Sequence, residues 1–341
     1  MKVLVTGGAG YIGSHVVRQL GEAGYDIVVY DNLSTGFRRA VTYGELVVGD
    51  LADTAALTQL FDAHEFEAVL HFAAHIIVPE SVSDPLKYYG NNTRNTLHLL
   101  QQIQRRSVPY MVFSSTAAVY GMPDIKILDE TCPLNPINPY GASKMMSEQM
   151  IRDLAYATTL QQTGEHDREL KYVILRYFNV AGADIQSRLG QSTPNATHLI
   201  KVACECVNGV RPGMKVFGTD YDTRDGTCIR DYIHVDDLAK AHIMALQYMA
   251  SGGKSEILNC GYGHGFTVKE VIDVVKKQSG QDFPVEDVER REGDPDSLAA
   301  DNTRIKSVLG WQPDYDDLNI IVKSALDWEA RWQSIQSAEQ N

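Results

Sequence analysis

Short apolar runs alternate with longer stretches of helical periodicity through the first half of the chain. Runs rich in β-branched and aromatic residues at Lys2–Thr6, Asp26–Tyr30, Leu46–Val48, Ala68–Phe72, Tyr110–Ser114 and Tyr172–Arg176 predict strands. Between them, helical patterns predict helices over Tyr11–Ala23, Thr54–Ala63, Asn92–Arg106 and Tyr140–Leu160. Strands that alternate with helices predict a parallel sheet covered on both faces, hence an α/β fold of the Rossmann-type, doubly wound kind. Such sheets bind ligands beyond the carboxyl ends of their strands.

After about Ala181 this rhythm breaks. Loops rich in Gly, Pro, Asn and Thr, such as Gly190–Pro194 and Thr219–Gly226, separate shorter helical patterns near His198–Asn208, Val235–Ala250, Thr267–Ser279 and Tyr315–Trp332. The pattern predicts a nucleotide-binding domain over residues 1–180 and a smaller α/β substrate-binding domain over residues 181–341. The Val235–Ala250 helix and a strand at Glu256–Cys260 are expected to rejoin the first domain, so that it reclaims about residues 235–262.

The length of 341 residues suits this division, at roughly 150 residues per domain. Charge changes the picture more: a net charge of −13 gives no electrostatic reason to bind nucleic acid. No apolar run approaches the roughly 20 residues of a membrane helix, and Val3–Val5 is too short for a secretory signal, so the expected setting is cytoplasmic. The five cysteines, Cys132, Cys204, Cys206, Cys228 and Cys260, form no CxxC pair. They read as reduced thiols, and no metal site is expected.

Candidate chemistry begins directly after the first strand. In Thr6-Gly7-Gly8-Ala9-Gly10-Tyr11-Ile12-Gly13, the residues Gly7, Gly10 and Gly13 recur every three positions and open the first helix. A tight turn, close backbone approach to a pyrophosphate and close helix–sheet contact require that arrangement, and the helix N-terminus then faces the anion. Asp31 closes the second strand, where a carboxylate accepts hydrogen bonds from ribose hydroxyls and repels a 2′-phosphate. NAD is therefore the expected cofactor rather than NADP. Asp50, at the end of the third strand, either reaches the adenine or serves only its turn.

A second constellation lies at Tyr140-Gly141-Ala142-Ser143-Lys144, at the start of a predicted helix. Residues four apart share a helix face, so Lys144 stands beside Tyr140. A free tyrosine ionises near pH 10. An ammonium and a positive nicotinamide ring both favour phenolate. A lowering of about 3 pH units needs about 4 kcal/mol of differential stabilisation. Thr116, closing a sheet strand in Ser114-Ser115-Thr116, can hydrogen-bond the reacting hydroxyl and pass its proton to Tyr140; the alternative is a capping or turn role.

Together these residues resemble the extended short-chain dehydrogenase/reductase family, and within it the enzymes that epimerise C4 of UDP-linked hexoses. The likeness spans essentially the whole chain. It runs through Thr6–Gly13, Asp31-Asn32-Leu33, His71-Phe72-Ala73-Ala74, Glu80-Ser81-Val82, Tyr88-Tyr89-Gly90-Asn91-Asn92, Ser114–Gly121 and Tyr140–Lys144. It continues through Arg176-Tyr177-Phe178-Asn179, Gly226–Asp237 and Arg290-Arg291-Glu292-Gly293-Asp294. The resemblance implies interconversion of UDP-galactose and UDP-glucose through a transient 4-keto sugar. Tyr140 would take the 4-hydroxyl proton while C4 passes hydride to NAD, and the keto sugar would receive hydride back on its other face. Lys144 would orient the nicotinamide ribose and hold Tyr140 ionised.

By the same likeness, the cofactor would also meet Tyr11, Ile12, Asn32, Leu51, Phe72, Ala73, Ala74, Asn91, Ser114, Tyr177 and Phe178. The UDP-sugar would meet Thr116, Tyr140, Asn179, Leu199, Arg230, Tyr232, Arg291, Asp294 and Leu298. Arginine suits the diphosphate because its planar fork makes paired hydrogen bonds. His234 reads as a structural histidine. The resemblance also implies a homodimer built on the Asn92–Arg106 and Tyr140–Leu160 helices.

Four positions depart from relatives. Thr116 stands for serine, Ile76 for a lysine near the cofactor, and His198 for an asparagine near the nucleotide. Leu298 is intermediate between a tyrosine that excludes N-acetylated sugars and smaller residues that admit them. A sugar-nucleotide 4,6-dehydratase needs proton-transferring carboxyl groups beside the threonine, where this chain has Ala117-Ala118. Epimerisation of a UDP-N-acetylhexosamine, UDP-pentose or UDP-glucuronate uses the same catalytic residues. A non-catalytic NAD-sensing regulator has no need of Tyr140, Lys144 and Thr116 together.

Overall fold

A computed structural model describes residues 1–160, 168–194, 196–291 and 294–340. Glu292 and Gly293, part of the Arg290–Asp294 motif, lie outside the described residues. The chain forms two compact units. The first comprises residues 1–121, 130–176 and 239–258; the second comprises residues 122–129, 177–238 and 259–341.

Seven strands make the sheet of the first unit: β1 (Lys2–Thr6), β2 (Asp26–Asp31), β3 (Glu45–Val48), β4 (Ala68–His71), β5 (Tyr110–Thr116), β6 (Lys171–Tyr177) and β7 (Glu256–Cys260). Their order is β7-β6-β5-β4-β1-β2-β3. The pairings β1–β2, β2–β3, β1–β4 and β4–β5 are parallel. After β1 the chain builds outward to β3, then returns to place β4 on the other side of β1. That reversal opens a crevice at the carboxyl ends of β1 and β4, the place where doubly wound sheets bind ligands.

Burial explains why these strands were legible. Val3, Leu4 and Val5 are fully buried although neighbouring residues face opposite sides, so both faces of β1 are covered. On one face Leu4, Val28 and Val69 pack with Leu57, Phe61 and Leu99. The latter three come from helices α1 to α5 of this unit: α2 (Thr54–Ala63) supplies Leu57 and Phe61, and α3 (Asn95–Arg105) supplies Leu99. The others are α1 (Tyr11–Glu22), α4 (Pro139–Leu160) and α5 (Val235–Ala250). Asp53 caps α2 by accepting hydrogen bonds from the Ala55 and Ala56 amides.

Two boundaries differ from expectation for physical reasons. β4 ends at His71, so Phe72 already belongs to the loop. The helix expected from Asn92 begins instead with a π-helical segment over Tyr89–Arg94, and regular helix starts at Asn95. Asn92, buried in that segment, holds the His75 backbone with both ends of its amide and also bonds the Ser143 hydroxyl. Its carbonyl accepts the Thr96 hydroxyl at 2.6 Å. These side-chain bonds compete with the regular helical ladder, and a widened turn accommodates them.

The second unit contains several very short strands that carry too few residues to show a period. Phe266–Thr267, Ile229–Arg230, Ser297–Ala300 and Ile127–Leu128 form a four-stranded sheet in that order. Asn179–Ala181 pairs in parallel with Tyr232–His234, and Met214–Phe217 with Val285–Val288. The helix expected at Tyr315–Trp332 starts at Leu318 and runs to Gln340. Among the described residues, no helix is long and apolar enough to cross a membrane.

Because Phe61 is fully buried between sheet and helices, Phe61→Ala is expected to lower stability by about 3–5 kcal/mol. Urea unfolding followed by tryptophan fluorescence and circular dichroism measures the change.

Candidate active site

The glycine turn between β1 and α1 shows why glycine is required there. Gly7 has φ +72°, and a Cβ at that position would lie 2.5 Å from the Ala73 nitrogen. A Cβ on Gly13 would lie 2.3 Å from the Gly7 carbonyl oxygen. Gly10 is less crowded, because its Cβ would meet one backbone oxygen, that of Gly7, at a still tight 3.3 Å. Gly10 is also the N-cap of α1 and supplies no side-chain cap. The amides of the first helical turn, which includes Tyr11, Ile12 and Gly13, point out of the helix end, an arrangement suited to an anion.

Asp31 sits at the end of β2 with each carboxylate oxygen engaged by one backbone amide, Ala9 at 2.9 Å and Leu33 at 2.8 Å. Burial pushes its carboxyl pKa up, and the Leu33 and Ala9 amides pull it back. Two lone-pair positions are used, which leaves acceptors for a vicinal diol. Leu33 takes the left-handed conformation, with φ 58°, to complete this turn. A carboxylate acceptor beside a glycine turn and a helix N-terminus fits NAD.

Neighbouring positions have mixed settings. The Asn32 amide donates to Asp50 at 2.8 Å, and Asp50 also accepts from the Ala52 amide, so this aspartate serves its turn. The Leu51 side chain is committed to the core, and its carbonyl is bonded by the His98 ring at 3.1 Å. Phe72, Ala73 and Ala74 follow β4, and Asn91 lies in the π-helical segment, bonded to Asn92. Ile76 is 45% exposed. Tyr177 ends β6, and Phe178 separates it from the short strand that begins at Asn179.

Tyr140 and Lys144 lie one turn apart near the start of α4, both buried. Helix α4 packs closely on the turn after β5: a Cβ on Gly141 would fall 2.5 Å from the Ala118 carbonyl oxygen. Of the roles considered for Thr116, the turn role is present in the structure. Its hydroxyl caps the Ala117–Tyr120 turn by accepting from the Ala118 amide at 3.1 Å, and it hydrogen-bonds the Tyr140 phenol. The Lys144 ammonium donates to the Ser114 carbonyl at 2.8 Å and lies 4.7 Å from the centre of the Phe113 ring.

Electrostatics here modify the expectation of a chain-made phenolate. Burial pushes the Tyr140 phenol up, and the Thr116 hydrogen bond only partly opposes this. Burial likewise pulls the Lys144 amine down to about 7, against the attraction of Glu148. The dry pocket disfavours both charges, so additional positive charge is needed to ionise Tyr140 at neutral pH.

In the second unit, Asn179, Leu199 and Tyr232 line one pocket together with His198, Gln191 and Trp328. The His198 ring bonds the Gln191 side chain at 2.8 Å, which occupies one of its two nitrogens. Arg230 ion-pairs with Asp294 and donates to the Ile229 carbonyl at 2.7 Å. Burial disfavours its charge, but Asp294 outweighs this and leaves its pKa raised. Leu298 stands opposite Arg230 in a parallel pairing. Arg291 lies 3.7 Å from the centre of the Phe217 ring, a cation–π contact. His234 is fully buried, with its ring bonded to Ser324 and to the Asp236 amide, a structural setting.

Comparison with known proteins agrees with this geometry. The NAD dependent epimerase/dehydratase family matches residues 3–261. The chain belongs to this family.

A UDP-glucose 4-epimerase of Azospirillum brasilense is 53% identical over 96% of this chain and 92% of its own length. Among solved structures, UDP-glucose 4-epimerase from Brucella ovis in complex with NAD is 43% identical with TM-score 0.90, covering 96% of this chain and 97% of that one. The UDP-Glc/GlcNAc 4-epimerase of Campylobacter jejuni is 50% identical with TM-score 0.84, covering 97% and 99%.

Two buried groups received no role from the sequence, although His71 and Arg176 stand in the motifs quoted above. Glu148 and Arg176 form an ion pair beneath Lys144, and charged residues on a helix and a strand end look solvated in a sequence. His71 bridges the Thr6 hydroxyl at 2.7 Å and the Thr96 hydroxyl at 2.9 Å, joining β1, β4 and α3. Burial first, and the Lys144 charge second, hold its pKa down at about 3.

The unfolded chain therefore takes up a proton at this histidine near pH 6.5, and the folded one only near pH 3. Between those values the unfolded state binds more protons, so this contribution to stability falls as the pH drops through that window. At pH 5 the loss relative to pH 7.5 is about 2 kcal/mol, and His71→Gln is expected to remove that part of the pH dependence. Urea unfolding of both proteins at the two pH values measures it.

Proposed function

We propose that this protein is an NAD-dependent UDP-glucose 4-epimerase, an isomerase that interconverts UDP-galactose and UDP-glucose. The buried Tyr140–Lys144–Thr116 group at the carboxyl end of a sheet whose first turn suits a dinucleotide carries this reading. The epimerase relatives across nearly the whole chain support it. When bound, NAD supplies reversible hydride acceptance at the sugar's C4.

The chain's own residues do the rest. The glycine turn and α1 hold the pyrophosphate, and Asp31 accepts the ribose hydroxyls. Lys144 donates to the nicotinamide ribose while it remains fixed to the Ser114 carbonyl. Tyr140 removes the proton from the 4-hydroxyl, with Thr116 hydrogen-bonded to both oxygens, and later returns the proton to the same oxygen, now part of the inverted alcohol. Burial excludes water, so a reactive keto sugar would be shielded from side reactions within the site. In the second unit, Arg230 and Arg291 bind the diphosphate, and Asn179, Leu199, Tyr232 and Asp294 hold the rest of the nucleotide. In this reading Arg230 exchanges part of its Asp294 pairing for phosphate.

The 50% identity to an epimerase named for both Glc and GlcNAc sugars favours acceptance of N-acetylated substrates as a second activity, with the intermediate Leu298 as the position that would limit it. Five buried free thiols fit a reducing, cytoplasmic setting. The subunits pair as homodimers through α3 and α4, which leave Leu97, Met146 and Tyr156 exposed. Sedimentation equilibrium checks this: Tyr156→Glu, where the native side chain is 68% exposed, is expected to favour the monomer.

Proton NMR of purified protein with UDP-galactose is expected to show UDP-glucose forming without added oxidant. Tyr140→Phe should reduce the rate by about 10²–10⁴-fold with NAD still bound. Absence of inversion by the unmodified protein on any UDP-sugar would overturn the assignment.

A further inference from the structure

The deepest charges in the first unit lie outside the residues assigned above to cofactor or substrate. Glu148 is one turn beyond Lys144 and two beyond Tyr140 on α4, and it is only 2% exposed. Its carboxylate receives Arg176 Nε at 3.0 and 3.2 Å, Arg176 Nη2 at 2.6 Å and the Ser115 hydroxyl at 2.5 Å. Arg176, also 2% exposed, donates further to the Tyr120 hydroxyl at 3.0 Å, with its guanidinium 5.0 Å from the centre of that ring. Three elements thus meet on one carboxylate, α4, the end of β5 and the end of β6, and Arg176 ties in the turn after β5 through Tyr120.

We propose that Glu148 is a positioning residue for the catalytic group, tying α4 to the strand that carries Ser114 and Thr116 and supplying the counter-charge for Lys144. This rests on the epimerase reading given above. Stability alone is a poor reason for such a pair, because a buried ion pair loses hydration worth several kcal/mol per ion and a well-packed apolar replacement is often as stable. Its placement gives a better one. Ser115 adjoins both Ser114, whose carbonyl holds Lys144, and Thr116, which holds Tyr140. A shift of α4 along β5 would therefore break the Glu148–Ser115 bond and misalign both contacts together.

Lys144 also needs a counter-charge in a dry site. The groups that face it are Phe113 and the Ser114 carbonyl from β5, neutral His71 from β4, and Tyr140 and Glu148 from its own helix. Of these only Glu148 carries a negative charge at neutral pH, and its attraction raises the Lys144 pKa against burial. Arg176 holds that carboxylate in place from β6.

The test uses the full-length protein and two variants. Glu148→Gln/Arg176→Met removes both charges together, so that neither is left buried alone. Glu148→Asp keeps the charge on a side chain one methylene shorter. With unchanged circular dichroism, the double variant is expected to lose about tenfold or more in kcat while KM for UDP-galactose stays within about threefold. Its alkaline limb should move to lower pH, because Lys144 gives up its proton earlier. The Nζ resonance of Lys144, assigned in lysine-labelled protein by its loss in Lys144→Met, should titrate at lower pH in the double variant. In Glu148→Asp, that titration should stay at the wild-type midpoint while kcat still falls.

An unmoved Lys144 titration in the double variant, or an unchanged kcat, would overturn the proposal and leave the pair as a structural brace. The NMR titration needs no turnover. Failure of the wild-type protein to epimerise would thus sink the assigned reaction while Glu148 is still tested.

Discussion

The central constraint in the first unit is the burial of an amine and a phenol side by side. Each is worse off charged in that environment than in water, as the raised Tyr140 and lowered Lys144 pKa values record. A site of this kind functions only if neighbouring dipoles and charges are fixed in advance, since nothing mobile remains to screen them. The Ser114 carbonyl, the Thr116 hydroxyl and the Glu148–Arg176 pair are those fixed groups, and all belong to β5, β6 or α4. The requirement for close contact between α4 and the turn after β5 explains Gly141 as well, because any side chain there would collide with Ala118.

The glycine turn obeys the same logic in a different currency. Its positive φ at Gly7 and the tight approach at Gly13 keep α1 close to β1 and β4, so the helix terminus can meet an anion. In the proposed function Asp31 would read the sugar next to that anion. Cofactor choice would then follow from one carboxylate at a strand end, and catalytic competence from the dry pocket around Tyr140.

Much of this was legible in the sequence because both faces of the central sheet are buried. Residues such as Val3, Leu4 and Val5 make unbroken apolar runs, and turn residues mark where each strand stops. The glycine turn and the Tyr140–Lys144 spacing are local, so they too could be read directly. The pairs Arg230–Asp294 and Glu148–Arg176 join residues far apart in the chain, and no local pattern announces them. The two-residue strands of the second unit are shorter than any period. The π-helical segment at Tyr89–Arg94 depends on where the Asn92 side chain ends up, which only tertiary contacts decide. Positions such as Asn179 and Leu298 were named from family likeness rather than from their own chemistry.

The chain leaves the first sheet after β6 and re-enters it only with β7, some eighty residues later. While the protein is being synthesised, β6 therefore waits as an open strand edge with its neighbour not yet made. Such an edge is a template for wrong pairing, and closing a loop of that size is slow compared with local folding. A nascent or truncated chain that stops near residue 180 would expose the same edge permanently. C-terminally shortened forms are thus expected to aggregate more readily than the full chain, as a consequence of the strand order.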